Sequence, residues 1–245
     1  MTSEELTGGR EDLAGSGQGP PDVDLDRVWL GVAERVWRRR PGPVERAAGR
    51  LLRSPGLARA LVTTPSLLLG WVIASAVILL AGVGMTLGTG APWVALLAPV
   101  VAASGIAYAY GPGVDPAWEL SQSMAVTDRM VLLVRALAVF GLNAAFGLAA
   151  SAASGAAAAV TFGWLVPMTA VCALALAAAI VTRSPNVGVA AGAAGWVIAI
   201  LAGQAADGRY TTAVTDSALV LPYLAFAACC GVVTFVATRI PRGTR

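Results

Sequence analysis

The residue types that could carry out chemistry are few in this chain. It contains no histidine and no lysine, so all 17 basic residues are arginine. A nucleotide-hydrolysing phosphate loop requires a Gly-Lys-Ser/Thr step, which a chain without lysine does not provide. The sequence therefore predicts that the protein is not an enzyme and holds no cofactor. Any ATP on which it depends must be bound by a partner subunit.

The cysteines offer no metal site either. Cys172, Cys229 and Cys230 all fall in apolar stretches, without the spacing of metal ligands or of a disulfide framework. Apart from Arg135, the interiors of these stretches also lack ionisable residues. This composition excludes proton- or ion-coupled carriers, voltage sensors and intramembrane proteases that use histidine or paired acids.

Two polar residues inside the apolar stretches are candidates for lining a translocation path or for helix packing, Asn143 and Gln204. For Asn143 two interpretations remain open, an interhelical hydrogen bond or a place on such a path. Either role directs the side chain towards protein instead of lipid.

A second set of candidates lies in residues 111–129, GPGVDPAWELSQSMAVTDR. Asp115 is suited to a helix N-cap and Pro116 to the first turn, so a short helix is predicted over about 115–124. The helix would carry Trp118, Glu119 and Leu120. Because it joins two neighbouring membrane spans, it could transmit the push of a partner protein to both.

Six apolar stretches must position these residues. Each is close to the roughly 20 residues that cross a bilayer core. Hydrophobic residues make up 57% of the chain and charged residues 13%, which excludes a soluble globular domain. The prediction is an all-α membrane protein of three helical hairpins. The stretches are residues 66–87, 92–110, 130–152, 158–181, 187–206 and 217–238.

The arginines predict the orientation. Ten precede the first stretch, and Arg129, Arg183 and the three C-terminal arginines fall on the same side, against Arg209 on the other. Since positive residues stay in the cytoplasm, we expect a multi-pass protein of the cell (inner) membrane with both termini cytoplasmic. This orientation, and not nucleic-acid binding, accounts for the net charge of +3. Arg135 is expected to snorkel to the headgroups, with substrate contact or helix pairing as the alternative.

The domain boundaries follow from composition. We predict a disordered tail over residues 1–22, cytoplasmic or interfacial amphipathic helices over 23–64, the transmembrane domain over 65–240 and a cytoplasmic tail over 241–245.

The predicted interfacial segment places tryptophans on one helical face, with arginines at its end. This pattern is typical of a helix lying on the membrane surface, and packing on a soluble partner domain is the alternative. The surface residues are Trp29, Trp37, Arg38, Arg39 and Arg40.

Small residues and prolines predict how the spans pack. Glycine and alanine at close spacing favour close helix contact, and prolines within spans favour kinks. The small residues are Gly188, Gly192, Gly195, Ala199 and Gly203 of the fifth stretch, with Gly141, Gly147 and Gly155 earlier. The prolines are Pro99, Pro167 and Pro222.

Residues 118–138, WELSQSMAVTDRMVLLVRALA, resemble the first intracellular loop of type-2 ABC exporter permeases. Glu119 matches the glutamate of the coupling helix in that family, and Arg135 matches a basic residue early in the third span. The turn between them is matched by residues 125–127. The chain departs from the family at residues 120–122, Leu-Ser-Gln, where a basic residue and Gly-Thr are usual.

The resemblance implies a permease subunit that works with an ABC ATPase subunit docked on the coupling helix. It also implies a second permease copy, as a homodimer, or a related permease. The short outer connections favour export of a lipid-like or amphipathic compound. A membrane-anchored regulatory or scaffold protein, whose cytoplasmic tail binds a signalling partner, is the alternative from another class. An autonomous channel is disfavoured because the spans carry no rings of charge.

Overall fold

The structure, a computed structural model, describes Asp24, Ala58 and residues 27–31, 42–53, 69–109 and 128–239. These residues form helices and the turns that join them, and the described part of the chain contains no strand. The predicted all-α class is thereby confirmed. The chain divides into two compact units, Met1–Pro43 and Val44–Arg245.

In the first unit, Asp24 caps the start of a short helix. Its carboxylate accepts a hydrogen bond of 3.0 Å from the amide of Arg27, and residues 27–31 are helical. Trp29 lies on this helix and is exposed. Within the predicted interfacial segment, residues 27–31 are therefore helical, and the amphipathic character of the whole segment stays a prediction. Its other predicted surface residues, Trp37, Arg38, Arg39 and Arg40, lie outside the described residues.

The second unit is a helical bundle. The first helices along the chain are α1 (Pro43–Leu52), α2 (Leu69–Thr89), α3 (Trp93–Ala109) and α4 (Asp128–Ala153). They are followed by α5 (Ala158–Gly163), α6 (Leu165–Thr182), α7 (Pro185–Asp207), α8 (Thr212–Thr215), the 3-10 turn Ser217–Leu219 and α9 (Val220–Arg239).

Several of these helices can cross a membrane. Among the described residues, five helical segments are long and apolar enough, and α3 is a shorter apolar helix of 17 residues. Their outer faces carry large hydrophobic side chains in the open, such as Leu80 on α2, Leu137 on α4 and Leu221 on α9. A water-soluble protein rarely exposes so much apolar surface, so this is a multi-pass membrane protein.

Helices α3 and α6 form the centre of the bundle. Helix α3 packs against α2, α4, α6 and α7, and α6 packs against α3, α7 and α9. Eleven of the 17 residues of α3 are buried, whereas in α9, which is described throughout, Cys230 alone is buried. Helix α9 and the outer face of α2 therefore form much of the exposed apolar surface of the bundle.

Glycines bring α7 against the central helices, as its sequence predicts. A methyl group on Gly188 would lie 2.6 Å from the carbonyl oxygen of Ala175 and 3.0 Å from the Cβ atom of Ala107. On Gly192 it would lie 3.0 Å from the Cβ atom of Ala175. Gly195, Gly203 and Gly147 also have close neighbours, and Ala199 packs against the core. For Gly141 and Gly155 the prediction was wrong, since a Cβ atom there would meet nothing within 4 Å.

The fourth apolar stretch is broken into α5 and α6 at Trp164. Pro167 explains the break, because it has no N–H to donate to the carbonyl of Gly163. Helix α3 continues through Pro99. Pro222 lies in the first turn of α9, a position that tolerates its missing N–H.

The two ends of the bundle differ in charge. Leu132, near the start of α4, packs with Ala179 and Ala237, near the ends of α6 and α9. We call this side the basic end, because Arg183 and Arg239 terminate α6 and α9 there. The opposite end carries Asp207, Arg209 and Asp216. Helix α7 runs from the basic end to the opposite end, and its 23 residues give it a length of about 34 Å.

The glycine contact of α7 yields a matched prediction. Gly188→Ala should lower the free energy of unfolding by about 1–3 kcal/mol, because the added methyl group collides with backbone. Gly141→Ala adds the same methyl group in open space and should leave stability unchanged or raise it by up to about 1 kcal/mol. Thermal unfolding of both variants in the same detergent would check this, and equal midpoints would contradict it.

Candidate functional site

A row of buried residues winds along nearly the whole length of α4. Every fourth residue from 131 to 151 is inaccessible, and polar and apolar residues alternate along the row. We call this row the α4 stripe. Its polar members are Arg135, Asn143 and Ser151, and its other members are Val131, Val139 and Gly147. The polar members extend over 16 residues, about 24 Å, which is most of the thickness of a bilayer core.

Helix α3 closes over this stripe. A Cβ atom on Gly105 would lie 3.0 Å from Cγ1 of Val139 and 3.5 Å from the amide nitrogen of Asn143. Farther along, a Cβ atom on Gly147 would lie 3.3 Å from that of Ala98. Glycines on both helices thus allow the closest contacts, and α3 covers the middle of the stripe from Val139 to Gly147.

Only the amide nitrogen of Asn143 has a hydrogen-bond partner among the described residues. It is 3% exposed, and its amide donates a bond of 2.9 Å to the carbonyl oxygen of Val139 in the same helix. The expected interhelical bond is absent, and the side-chain oxygen has no partner among the described residues. A buried carbonyl without a partner costs about 1–3 kcal/mol. Asn143 therefore faces protein, as predicted, but contributes little to holding the helices together.

Trp71 of α2 borders the same place. Its indole nitrogen would lie 3.1 Å from a Cβ atom on Gly105 and has no hydrogen-bond acceptor in the described part of the chain. Its ring lies 5.7 Å from that of Tyr108, whose hydroxyl donates a bond of 2.8 Å to the side-chain oxygen of Asn186 on α7. Beside Gly105, two buried polar atoms therefore lack a hydrogen-bond partner among the described residues, the side-chain oxygen of Asn143 and the indole nitrogen of Trp71.

Arg135 differs from the expectation of snorkelling. It is 1% exposed and shares the buried face of α4 with Val131 and Val139. Its guanidinium is thus held inside the protein and is not extended along the lipid surface to the headgroups. Of the interpretations offered by the sequence, helix pairing and substrate contact agree with this burial.

Gln204 lies in another part of the bundle. Gly192 of α7 adjoins Ala103 of α3, and Gln204 is about three turns, roughly 18 Å, farther along α7. Its side-chain oxygen is buried and has no partner among the described residues. The structure therefore does not bring Asn143 and Gln204 together into one site.

A tryptophan of α7 holds that helix to α3 by a hydrogen bond. The indole nitrogen of Trp196 donates a bond of 2.7 Å to the carbonyl oxygen of Leu96. This carbonyl lies three residues before Pro99, where the proline disturbs the helical bonding pattern. Trp196 is 1% exposed, so the bond forms in a medium without competing water.

A groove of about 230 Å³ opens on the surface between α4, α6 and α9. Its walls include Leu133 of α4, Leu176 of α6, and Gly231 and Phe235 of α9. The groove lies towards the basic end, since Leu132 and Thr238 also border it.

The residues predicted to couple the chain to an ATPase, Asp115, Pro116, Trp118, Glu119 and Leu120, lie outside the described residues. The helices that flank this segment, α3 and α4, are described and pack against one another.

In comparisons with known proteins, the chain matches no protein-family model, no curated protein and no solved structure.

Sequence reasoning singled out Arg135, Asn143 and Gly147 separately but did not join them into the α4 stripe. The signal was the spacing of four residues, which places each member of the row next to the one before it on the helix surface. The Trp196 bond and the groove had no such signal. Both depend on which helices become neighbours.

The Trp196 bond can be tested against a matched tryptophan. Trp196→Phe removes the bond and leaves the Leu96 carbonyl without its donor, whereas Trp164→Phe removes an equally buried indole whose nitrogen has no partner in the described chain. The free energy of unfolding should fall by about 1–3 kcal/mol more for Trp196→Phe. Denaturation in detergent would measure it, and an equal or larger loss for Trp164→Phe would refute the assignment.

Proposed function

We propose that this chain is the membrane-spanning permease subunit of a type-2 ABC transporter. In this proposal six spans cross the cell membrane, α3 being the shortest, and both termini face the cytoplasm. A separate subunit binds and hydrolyses ATP. It pushes on residues 115–124, and the push moves α3 and α4.

The observation that carries the proposal is the position of the connecting segment. The only long connection between the apolar stretches joins α3 to α4, and these two helices enclose the α4 stripe. Motion of this segment would act directly on the contact between Gly105 and Val139. Separation of the two helices would then expose Asn143, so the proposed push and this buried polar residue belong to one mechanism.

The basic end supports the proposed orientation. Arg183 and Arg239 lie at this end, as do the two flanks of the connecting segment. By the positive-inside rule this end faces the cytoplasm, where an ATPase is found. An outward-facing connection could not meet such a partner.

The proposed substrate is lipid-like or amphipathic. The polar members of the α4 stripe are few, and they lie in a row between apolar neighbours. A strongly charged solute would need more polar partners than this row offers. The described connections at the end that carries Arg209 are short and form no sizeable domain, which fits export.

A second copy completes the proposal. The exposed apolar faces of α2 and α9 leave room for another permease chain beside the bundle. We propose a homodimer, or a pair with a related permease, in which the substrate path lies between the subunits.

The partner contact is the direct test of this function. Glu119→Ala and Trp118→Ala should each abolish co-purification of an ABC ATPase with the tagged chain from mild detergent, because both residues lie in the proposed docking helix. Gly141→Ala, outside that helix, serves as the control and should retain the ATPase. Quantitative mass spectrometry of the eluates measures the result.

Two outcomes would contradict the proposal. One is an ATPase that remains bound to both variants or is absent from the unaltered chain. The other is loss of binding partners only on deletion of residues 1–60, which would favour the regulatory or scaffold function instead.

A further inference from the structure

The groove between α4, α6 and α9 is apolar but ends in positive charge. Leu132, Leu133 and Leu176 form one part of its lining, and Phe235 forms another. The hydroxyl of Thr238 is satisfied within its own helix, through bonds of 2.9 Å and 3.0 Å to the carbonyl oxygens of Thr234 and Phe235. The walls therefore suit hydrocarbon and offer little to water or to a polar ligand.

The groove exists because small residues stand where α9 passes α4. A Cβ atom on Gly231 would meet nothing within 4 Å, so the glycine leaves open space in the wall. Ala173 of α6 is the other small residue of the lining. Helix α9 packs along α6, whereas its contact with α4 is slight, and the slot runs between them.

Arg239 stands at the basic end of this slot. The carbon of its guanidinium group lies 4.3 Å from the centre of the Phe235 ring, so the cation rests on a wall of the groove. Arg239 is exposed, and Arg183 ends the neighbouring helix α6 at the same end of the bundle. An elongated apolar slot with a cation at its mouth is complementary to one kind of molecule, an amphiphile with a negative headgroup.

We propose that this groove binds one acyl chain of an anionic phospholipid, with the phosphate of the lipid paired to Arg239. A second copy of the protein does not fit the groove itself, because a helix is about 10–12 Å wide and the groove encloses about 230 Å³. The lipid is drawn from the leaflet at the basic end, where phosphate and guanidinium lie at the same depth. The proposal goes beyond the proposed transport function and does not depend on it.

The test uses the full-length protein, purified and delipidated. It is titrated with dioleoyl phosphatidylglycerol or dioleoyl phosphatidylcholine, and native mass spectrometry measures how much of each lipid stays bound. The unaltered chain should retain phosphatidylglycerol in preference to phosphatidylcholine. Arg239→Gln should lower this preference about fivefold, as expected for one arginine at a membrane surface. Retention of the acyl chain itself should persist in this variant.

The shape of the groove is tested by a matched pair of leucines. Gly231→Leu fills the groove without a clash and should abolish retention of both lipids. Gly141→Leu places the same side chain in open space on α4, outside the groove, and should retain them. Equal thermal midpoints of the two variants would show that both are folded.

Four results would overturn the proposal. Three of them are retention of lipid by Gly231→Leu, equal binding of the two lipids by the unaltered chain, and an unchanged lipid preference in Arg239→Gln. A fourth is dimerisation that Gly231→Leu abolishes while lipid retention persists, which would assign the groove to a second copy.

Discussion

The close approach of α7 to α3 and α6 is the contact on which the rest of the bundle depends. Gly188 and Gly192 allow the backbones to come together where no side chain would fit. In a membrane the hydrophobic effect does not press helices together, so packing of this kind and interhelical hydrogen bonds must hold the bundle. The bond from Trp196 to Leu96 joins α7 to α3 in the same region. With α3 fixed between α6 and α7, its opposite face is free to cover the polar residues of α4.

The two sides of α3 therefore differ in chemistry. Towards α7 it is held by glycine contacts and a hydrogen bond. Towards α4 it covers Asn143, whose side-chain oxygen has no partner in the described chain. A polar group buried without a partner stores free energy that is released when the group becomes hydrated. In the proposed function the contact between α3 and α4 is the one that opens, because the proposed coupling segment joins these two helices.

The sequence predicts the apolar helices, their hairpins and the glycine face of α7, because these depend on local composition and helical periodicity. It also predicts that Asn143 faces protein. It does not predict the burial of Arg135. The guanidinium group could reach the lipid headgroups or lie inside the bundle, and which of the two occurs depends on the helix that packs beside α4. Gly141 and Gly147 look alike in the sequence, yet only Gly147 contacts a neighbour, the ring of Trp164. Tertiary packing decides which residues become neighbours, and the spacing of residues in the sequence does not show it.

The central claim, that a chain without an ATP site is moved by an ATP-hydrolysing partner, is tested most directly by the accessibility of Asn143. A variant with Asn143→Cys as its only cysteine would be labelled with a maleimide in native membranes, and Arg209→Cys would serve as an always accessible control. The account predicts slow labelling at position 143 that Mg-ATP accelerates in membranes, and no effect of ATP on the purified chain. Labelling that is indifferent to ATP in native membranes, or that responds to ATP in the isolated chain, would contradict it.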